Sequence, residues 1–295
     1  MNLAHRAPIG PHRRTTWHTL GVSCLLAALA ACASSSQGDL ASLASSSDEI
    51  VWQAAEKAFQ KKQWEGARKL YRRIIDGFPQ SEHLPGARLG TAEAHFQEGG
   101  TANYILAVSE YREFLTLYPS HPRSDYAQFQ TGEAYYRQRN SPDRDQTSTL
   151  KALEEYERLL DVYPSSTYVE TARLRVANLR QHLARAEFHA GYFYQRTRRA
   201  LRSAIGRYEG ILADYPDYAG MDEVLYRLSE CLVAAARKAE ALPHLGRLVG
   251  EYPNSNFIPE ARSLMDQLAK DGITAPPVPS ADTPPAGPPP EKPSR

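Results

Sequence analysis

Cysteine is scarce in this chain of 295 residues: there are three, Cys24, Cys32 and Cys231. No two form a closely spaced pair, so a cysteine-built metal site is excluded. The sequence also lacks a glycine-rich phosphate loop and a nucleophile-elbow motif. His182 and His189 lie seven apart, too far along a helix to share a metal ion. Neither a metal nor a cofactor is expected, no catalytic constellation is present, and the chain reads as a non-enzyme. Charge of one sign is missing as well. Thirty-five basic residues face 34 acidic ones, which leaves no electrostatic footprint for nucleic acid. Residues 1–31 hold Arg6, Arg13 and Arg14 and no acid, so the remainder is mildly acidic. The apolar run at residues 20–31 is twelve residues long, whereas a bilayer span needs about 20.

That short run has a different meaning. Basic residues precede it, small residues close it, and Leu29-Ala30-Ala31-Cys32 ends it. The arrangement resembles a bacterial lipoprotein signal, which implies that Cys32 is the first mature residue and carries acyl chains. An ordinary signal peptide with a chance Cys is the alternative. Ala33 and Ser34 follow with no acid, which resembles the pattern exported to the outer membrane. Removal of Cys24 and acylation of Cys32 leave Cys231 alone, so no intrachain disulfide can form. Cys231 sits among Leu228, Leu232 and Val233 and reads as a small buried hydrophobe.

Two tethers are expected. Residues 32–47, Ser-rich after the acylated Cys, give a reach of about 20 Å. Residues 271–295 contain nine Pro and read as a disordered spacer, a Pro-rich docking peptide being the alternative.

Between them, over residues 48–270, one phrase recurs five times. It ends in Phe78-Pro79, Tyr118-Pro119, Tyr163-Pro164, Tyr215-Pro216 and Tyr252-Pro253. Twelve before each Pro stand Ala67, Ala107, Ala152, Ala204 and Ala241. Eight before stand Tyr71, Tyr111, Tyr156, Tyr208 and Leu245; five before stand Ile74, Phe114, Leu159, Ile211 and Leu248. These positions share one helical stripe, and Pro cannot continue the helix. Each phrase is the second helix of a hairpin that must stack to bury its apolar face. First helices should bury Val51, Ala54 and Ala58 in repeat 1, and Leu225, Leu228 and Leu232 in repeat 5. Extra residues should fall at 99–103 in repeat 2 and 140–145 in repeat 3. In repeat 4, a seam from Val169 through Val176, Leu179, Leu183, Ala186 and Ala190 to Phe193 predicts one helix of about 40 Å. Pro243 requires the last second helix to start late or kink. A capping helix is expected near residues 259–270.

The pattern resembles the tetratricopeptide repeat, which implies an all-α solenoid of five helical hairpins with a C-terminal cap. By that resemblance the concave groove is lined by Glu49, Trp52, Glu56 and Phe59 in repeat 1 and Glu223, Tyr226, Glu230 and Val233 in repeat 5. Packing of these side chains against neighbouring helices is the alternative. Trp52, Phe59 and Tyr226 are the candidate contacts for an extended peptide.

The middle is more specific. His121-Pro122-Arg123-Ser124-Asp125-Tyr126-Ala127, the insertion Asp143-Arg144-Asp145, Tyr163-Pro164-Ser165-Ser166, Leu183-Ala184-Arg185-Ala186-Glu187 and Arg207 before Asp214-Tyr215-Pro216 follow in order. Over residues 48–268 the series resembles the BamD family of outer-membrane lipoproteins. The resemblance implies a scaffold of the β-barrel assembly machinery on the periplasmic face of the outer membrane, anchored through lipid. Its implied partners are the POTRA region of a BamA-like barrel protein and unfolded outer-membrane proteins. Arg207 matches an Arg implicated in the contact with that barrel protein, a solvated Arg being the alternative. Another envelope scaffold, at the cell wall or secretion apparatus, is the alternative function.

Overall fold

A computed structural model describes residues 47–274 of the chain. The lipoprotein signal, Cys32, the Ser-rich tether up to residue 46 and the Pro-rich tail from residue 275 lie outside the described residues. The described residues are helical, and none of their helices is long and apolar enough to cross a membrane.

The helices are α1 (Asp48–Gln60), α2 (Trp64–Gly77), α3 (Leu84–Glu98), α4 (Thr101–Leu117), α5 (Ser124–Arg137), α6 (Thr147–Val162), α7 (Val169–Phe193), α8 (Leu201–Asp214), α9 (Met221–Ala234), α10 (Lys238–Glu251) and α11 (Ile258–Lys270). A π-turn, Tyr194–Arg198, joins α7 to α8. Helices α1–α2, α5–α6, α7–α8 and α9–α10 pair as hairpins, α3 and α4 are joined by two residues, and α11 packs on α10. This is an all-α tetratricopeptide-repeat fold. Two compact units divide the chain between Ala94 and His95, inside α3.

The five-fold register reads directly into the core. All fifteen stripe residues, from Ala67, Tyr71 and Ile74 to Ala241, Leu245 and Leu248, are buried. Each second helix stops at the residue before its Pro. Phe78, Tyr118, Tyr163, Tyr215 and Tyr252 have φ between −133° and −125° and ψ between 57° and 70°, outside the helical region. Their N–H groups still bond the carbonyl four residues back, so one more orphan acceptor is satisfied.

In the first unit, Val51, Ala55 and Ala58 of α1 pack with the α2 stripe and Ala87. Ala55, not Ala54, is the fully buried position, since burial follows the actual phase of α1. In the second unit, α4 to α11 pack pairwise in chain order. Leu225, Leu228 and Leu232 are buried against α10 and α11, and Cys231 lies among them as a free thiol. Burial pushes that thiol up to about 11.

Three local expectations change. Gly99 and Gly100, with φ of +76° and +84°, make the whole connection in repeat 2. Thr101-Ala102-Asn103 start α4, and Asn103 Nδ2 bonds the Gly99 carbonyl at 2.9 Å. Helix α10 runs through Pro243 from Lys238, three residues before Ala241, as α2 and α8 start three before Ala67 and Ala204. The seam of α7 also changes face. Val169, Ala172 and Leu179 pack with α6, but beyond Leu183 the buried side runs through Ala184, Phe188 and Gly191 onto α8 and α9. Phe193 is 45% exposed. A straight helix drifts relative to a 3.5-residue repeat, and here its two halves face different partners.

Candidate partner-binding surface

Polar ties fix the helices before any surface can be read. Three stripe tyrosines donate their hydroxyls to acceptors on a first helix or on the π-turn that follows one. Tyr71 donates to Glu56 at 2.5 Å, Tyr156 to Glu133 at 2.6 Å and Tyr208 to Gln195 at 2.9 Å. Arg175 of α7 pairs with the same Glu133 at 2.7 Å, and Arg112 of α4 pairs with the buried Glu155 of α6. Burial and the Glu133 bond push the Tyr156 phenol far above its usual range.

A second tie recurs in repeats 1, 3 and 5. Ser81, Ser166 and Ser255, two residues after the Pro, donate to Asp48, Asp125 and Asp222 at 2.6–2.7 Å. The same hydroxyls accept the N–H of His83, Tyr168 and Phe257 at 3.1 Å. Those three rings stack on Trp52, Phe129 and Tyr226 of the first helices, with centres 5.0, 4.7 and 5.2 Å apart. Asp and aromatic at i, i+4, answered by Ser and aromatic at Pro+2 and Pro+4, is a signal the primary structure carries and the reading of it above misses.

This module fixes two of the three candidate aromatic contacts, Trp52 and Tyr226. Trp52 is half-buried, stacked on His83, and lies over Gly86 so closely that a Cβ there would come within 2.8 Å of its ring. Phe59 is half-buried with Trp64 edge-on at 5.1 Å. Tyr226 is half-buried under Phe257 and forms, with Glu230 and Val233, one wall of a groove of about 560 Å³ closed by Pro259 and Leu264 of α11. The expected acid–aromatic–acid pattern also resolves. Glu56 serves Tyr71, whereas in repeat 5 the stripe residue is Leu245, so Glu230 instead takes Arg227 at 3.0 Å and Gln195 at 3.1 Å. Glu49, Glu82 and His83 bring potential metal donors within 4.8 Å of one another, but Glu49 is already bonded by His83 at 2.8 Å and Gln53 at 2.5 Å.

Arg207 stands exposed on a flank of α8, one position before the buried Tyr208. Its Nη1 donates to Glu187 of α7 at 2.7 Å, with both side chains partly exposed. Ser203, Gly206 and Gly210 flank it, and a Cβ added to either glycine would meet nothing within 4 Å. Together with Asp214 and Tyr215 they line a shallow groove of about 520 Å³. A second groove of about 400 Å³ shares Glu187 and Tyr194 with it and runs to Asp143, Arg144 and Phe193. A fixed cation beside uncovered backbone suits a partner that brings a carboxylate and close main-chain contact. The 3–4 spacing of Ser203, Gly206 and Gly210 was the available sequence signal for this face.

A family described as outer membrane lipoprotein (YfiO) matches residues 44–238, and a tetratricopeptide-repeat family matches residues 223–255. The outer membrane protein assembly factor BamD of Caulobacter vibrioides is 25% identical over 218 residues, 74% of this chain and 70% of that one. The protein of the same name from Rickettsia prowazekii is 27% identical over 205 residues, 70% and 80% of the two chains. Among solved structures, a thermophilic TPR protein of Thermus thermophilus is 18% identical with a TM-score of 0.31, covering 74% and 99%.

Proposed function

The chain belongs to the YfiO family of outer membrane lipoproteins, and from that premise we propose that it is a non-catalytic scaffold for outer-membrane protein assembly. In this reading residues 1–31 are a signal peptide and Cys32 is acylated. Residues 32–47 tether the repeat domain 48–270 to the periplasmic face of the outer membrane, and 271–295 form a spacer. More than one acyl chain makes such attachment stable.

The partner is the POTRA region of a BamA-like barrel protein, and the observation that carries this is the Arg207 face of α8. Glu187 holds the guanidinium in place, so a partner carboxylate meets an ordered donor and little side-chain entropy is lost on binding. The glycines let the partner backbone approach. Unfolded barrel substrates are held by contact energy alone. The groove beside Tyr226 takes an extended segment, and the exposed edges of Trp52 and Phe59 offer further apolar contact in repeat 1.

Extraction of the native lipoprotein in mild detergent, followed by identification of what co-purifies, tests the reading. A POTRA-bearing barrel protein supports it. Cell-wall or secretion proteins in its place would move the function to another envelope scaffold.

A further inference from the structure

From residue 188 to residue 208 the chain carries Arg196, Arg198, Arg199, Arg202 and Arg207 and no acidic residue. The stretch folds into the end of α7, the π-turn and the start of α8. Arg207 is paired with Glu187, and Arg196 lies 3.5 Å from Glu230. Arg198, Arg199 and Arg202 are exposed and have no ion pair among the described residues. Some other exposed arginines answer acids three or four residues away, as Arg158 does Glu154, Arg173 Glu170 and Arg247 Glu251. Within five residues the turn thus sets three exposed guanidinium groups without ion pairs among the described residues.

Two large rings share it. Tyr192 is 40% and Phe193 45% exposed. The Arg196 guanidinium lies 5.7 Å from the Tyr192 ring centre, and that of Arg198 5.6 Å from Phe193. The turn is held in shape. Arg199 takes the left-handed conformation, φ +50°, and Ala200 N–H bonds the Tyr194 carbonyl at 2.9 Å.

We infer that the turn at residues 192–202 docks on the anionic phospholipid headgroups of the membrane to which the chain is anchored. Guanidinium groups bind phosphate with two parallel donors, and exposed aromatic rings settle at the boundary between headgroup and acyl chain. An anionic surface attracts each added basic group, and an anchored chain meets that surface at high effective concentration. The inference rests on the lipid-anchored reading of the chain.

The test uses the full acylated protein with Thr197→Cys. Cys231 is buried with a raised thiol pKa and Cys32 carries acyl chains, so an environment-sensitive dye labels position 197 alone. The protein is reconstituted into vesicles of phosphatidylcholine alone or with phosphatidylglycerol, each carrying a headgroup nitroxide. Quenching should be stronger with phosphatidylglycerol. It should be lost at high salt, where the screening length falls to about 3 Å, and in the variant R198Q/R199Q/R202Q. Equal quenching in both vesicles, or full quenching in the triple variant, would overturn the docking. Shielding of the dye only when a POTRA-bearing partner is added would overturn it too, assigning the turn to a protein surface. Protein that does not float with the vesicles would remove the anchor and the docking together, whereas protein that floats unquenched would remove the docking alone. Capture of the POTRA partner by the triple variant reports on the proposed function separately.

Discussion

The hydroxyl of Tyr156 donates a 2.6 Å hydrogen bond to Glu133, and Arg175 approaches the same carboxylate at 2.7 Å. Three helices, α5, α6 and α7, meet at one buried acid. Removing the acid strands both partners. Glu133→Ala should destabilise the second unit by about 3 kcal/mol, the usual cost of breaking a buried pair. Tyr156→Phe should cost only about 1 kcal/mol, since Arg175 still answers Glu133. Urea unfolding of the two variants side by side measures the difference, and equal costs would show that Arg175 contributes little.

Glycines should respond with opposite signs. A Cβ at Gly132 would sit 2.9 Å from the buried Tyr156 ring, so Gly132→Ala should cost about 1–3 kcal/mol by overpacking. Gly206 and Gly210 have open space, so each Gly→Ala there should stabilise α8 by up to about 1 kcal/mol. If the α8 face binds a partner, those stabilised variants should bind it more weakly, which thermal melts and pull-down assays read in parallel.

Exchange of a charge pair separates folding from binding at Arg207. Its pair with Glu187 is partly exposed and worth at most about 1 kcal/mol, so Arg207→Glu should leave the melting curve nearly unchanged. It should weaken POTRA binding about tenfold or more by like-charge contact. The double variant E187R/R207E restores the local pair but not the position of the cation. Full recovery of binding in that variant would mean that the pair, and not Arg207 itself, is what the partner needs.

The Ser–Asp tie has a pH signature. The Ser81 hydrogen bond holds the Asp48 carboxyl below the usual carboxylate range. A carboxyl whose folded pKa is lowered stabilises the fold above its unfolded value, about 3.9, and that contribution disappears as pH falls through the folded pKa. Ser81→Ala should raise the Asp48 pKa toward its ordinary value, as carboxyl-detected NMR titration would record. An unmoved titration would assign the lowering to the start of α1 instead.

Cys231 should be silent in the native state. Its thiol is buried and its pKa is pushed up to about 11, so at neutral pH it should not react with a thiol reagent until urea unfolds the second unit. Rapid native labelling would reveal local opening of α9.

The second helices were readable because everything that defines them is local. Ala, Tyr, an aliphatic residue and Pro at constant intervals set the helix, its buried stripe and its stop, and all fifteen stripe residues are buried. The first helices were harder. Their buried residues follow whichever neighbour each turn meets, so the phase moved from Ala54 to Ala55 in α1, and Phe193 came out exposed at the end of α7.

The candidate surface divides along the same line. Arg207 stands out beside Tyr208 in the repeated phrase, and its small neighbours Ser203, Gly206 and Gly210 lie at helical spacing on the opposite face to the stripe. Its partner Glu187 is 20 residues away, on another helix. Glu56, expected in the groove, is claimed by Tyr71, 15 residues distant, and Glu133 is tied in the same way to Tyr156, 23 residues away. Trp52 and Tyr226 are stacked on rings from the turn that follows the second helix of their own repeats. Periodicity specifies the buried face of a second helix, because the repeated stripe follows 3.6 residues per turn. Which hydroxyl meets which carboxylate, and which ring is covered, depends on pairs whose separation changes with every insertion between repeats, and only the packed helices bring those pairs together.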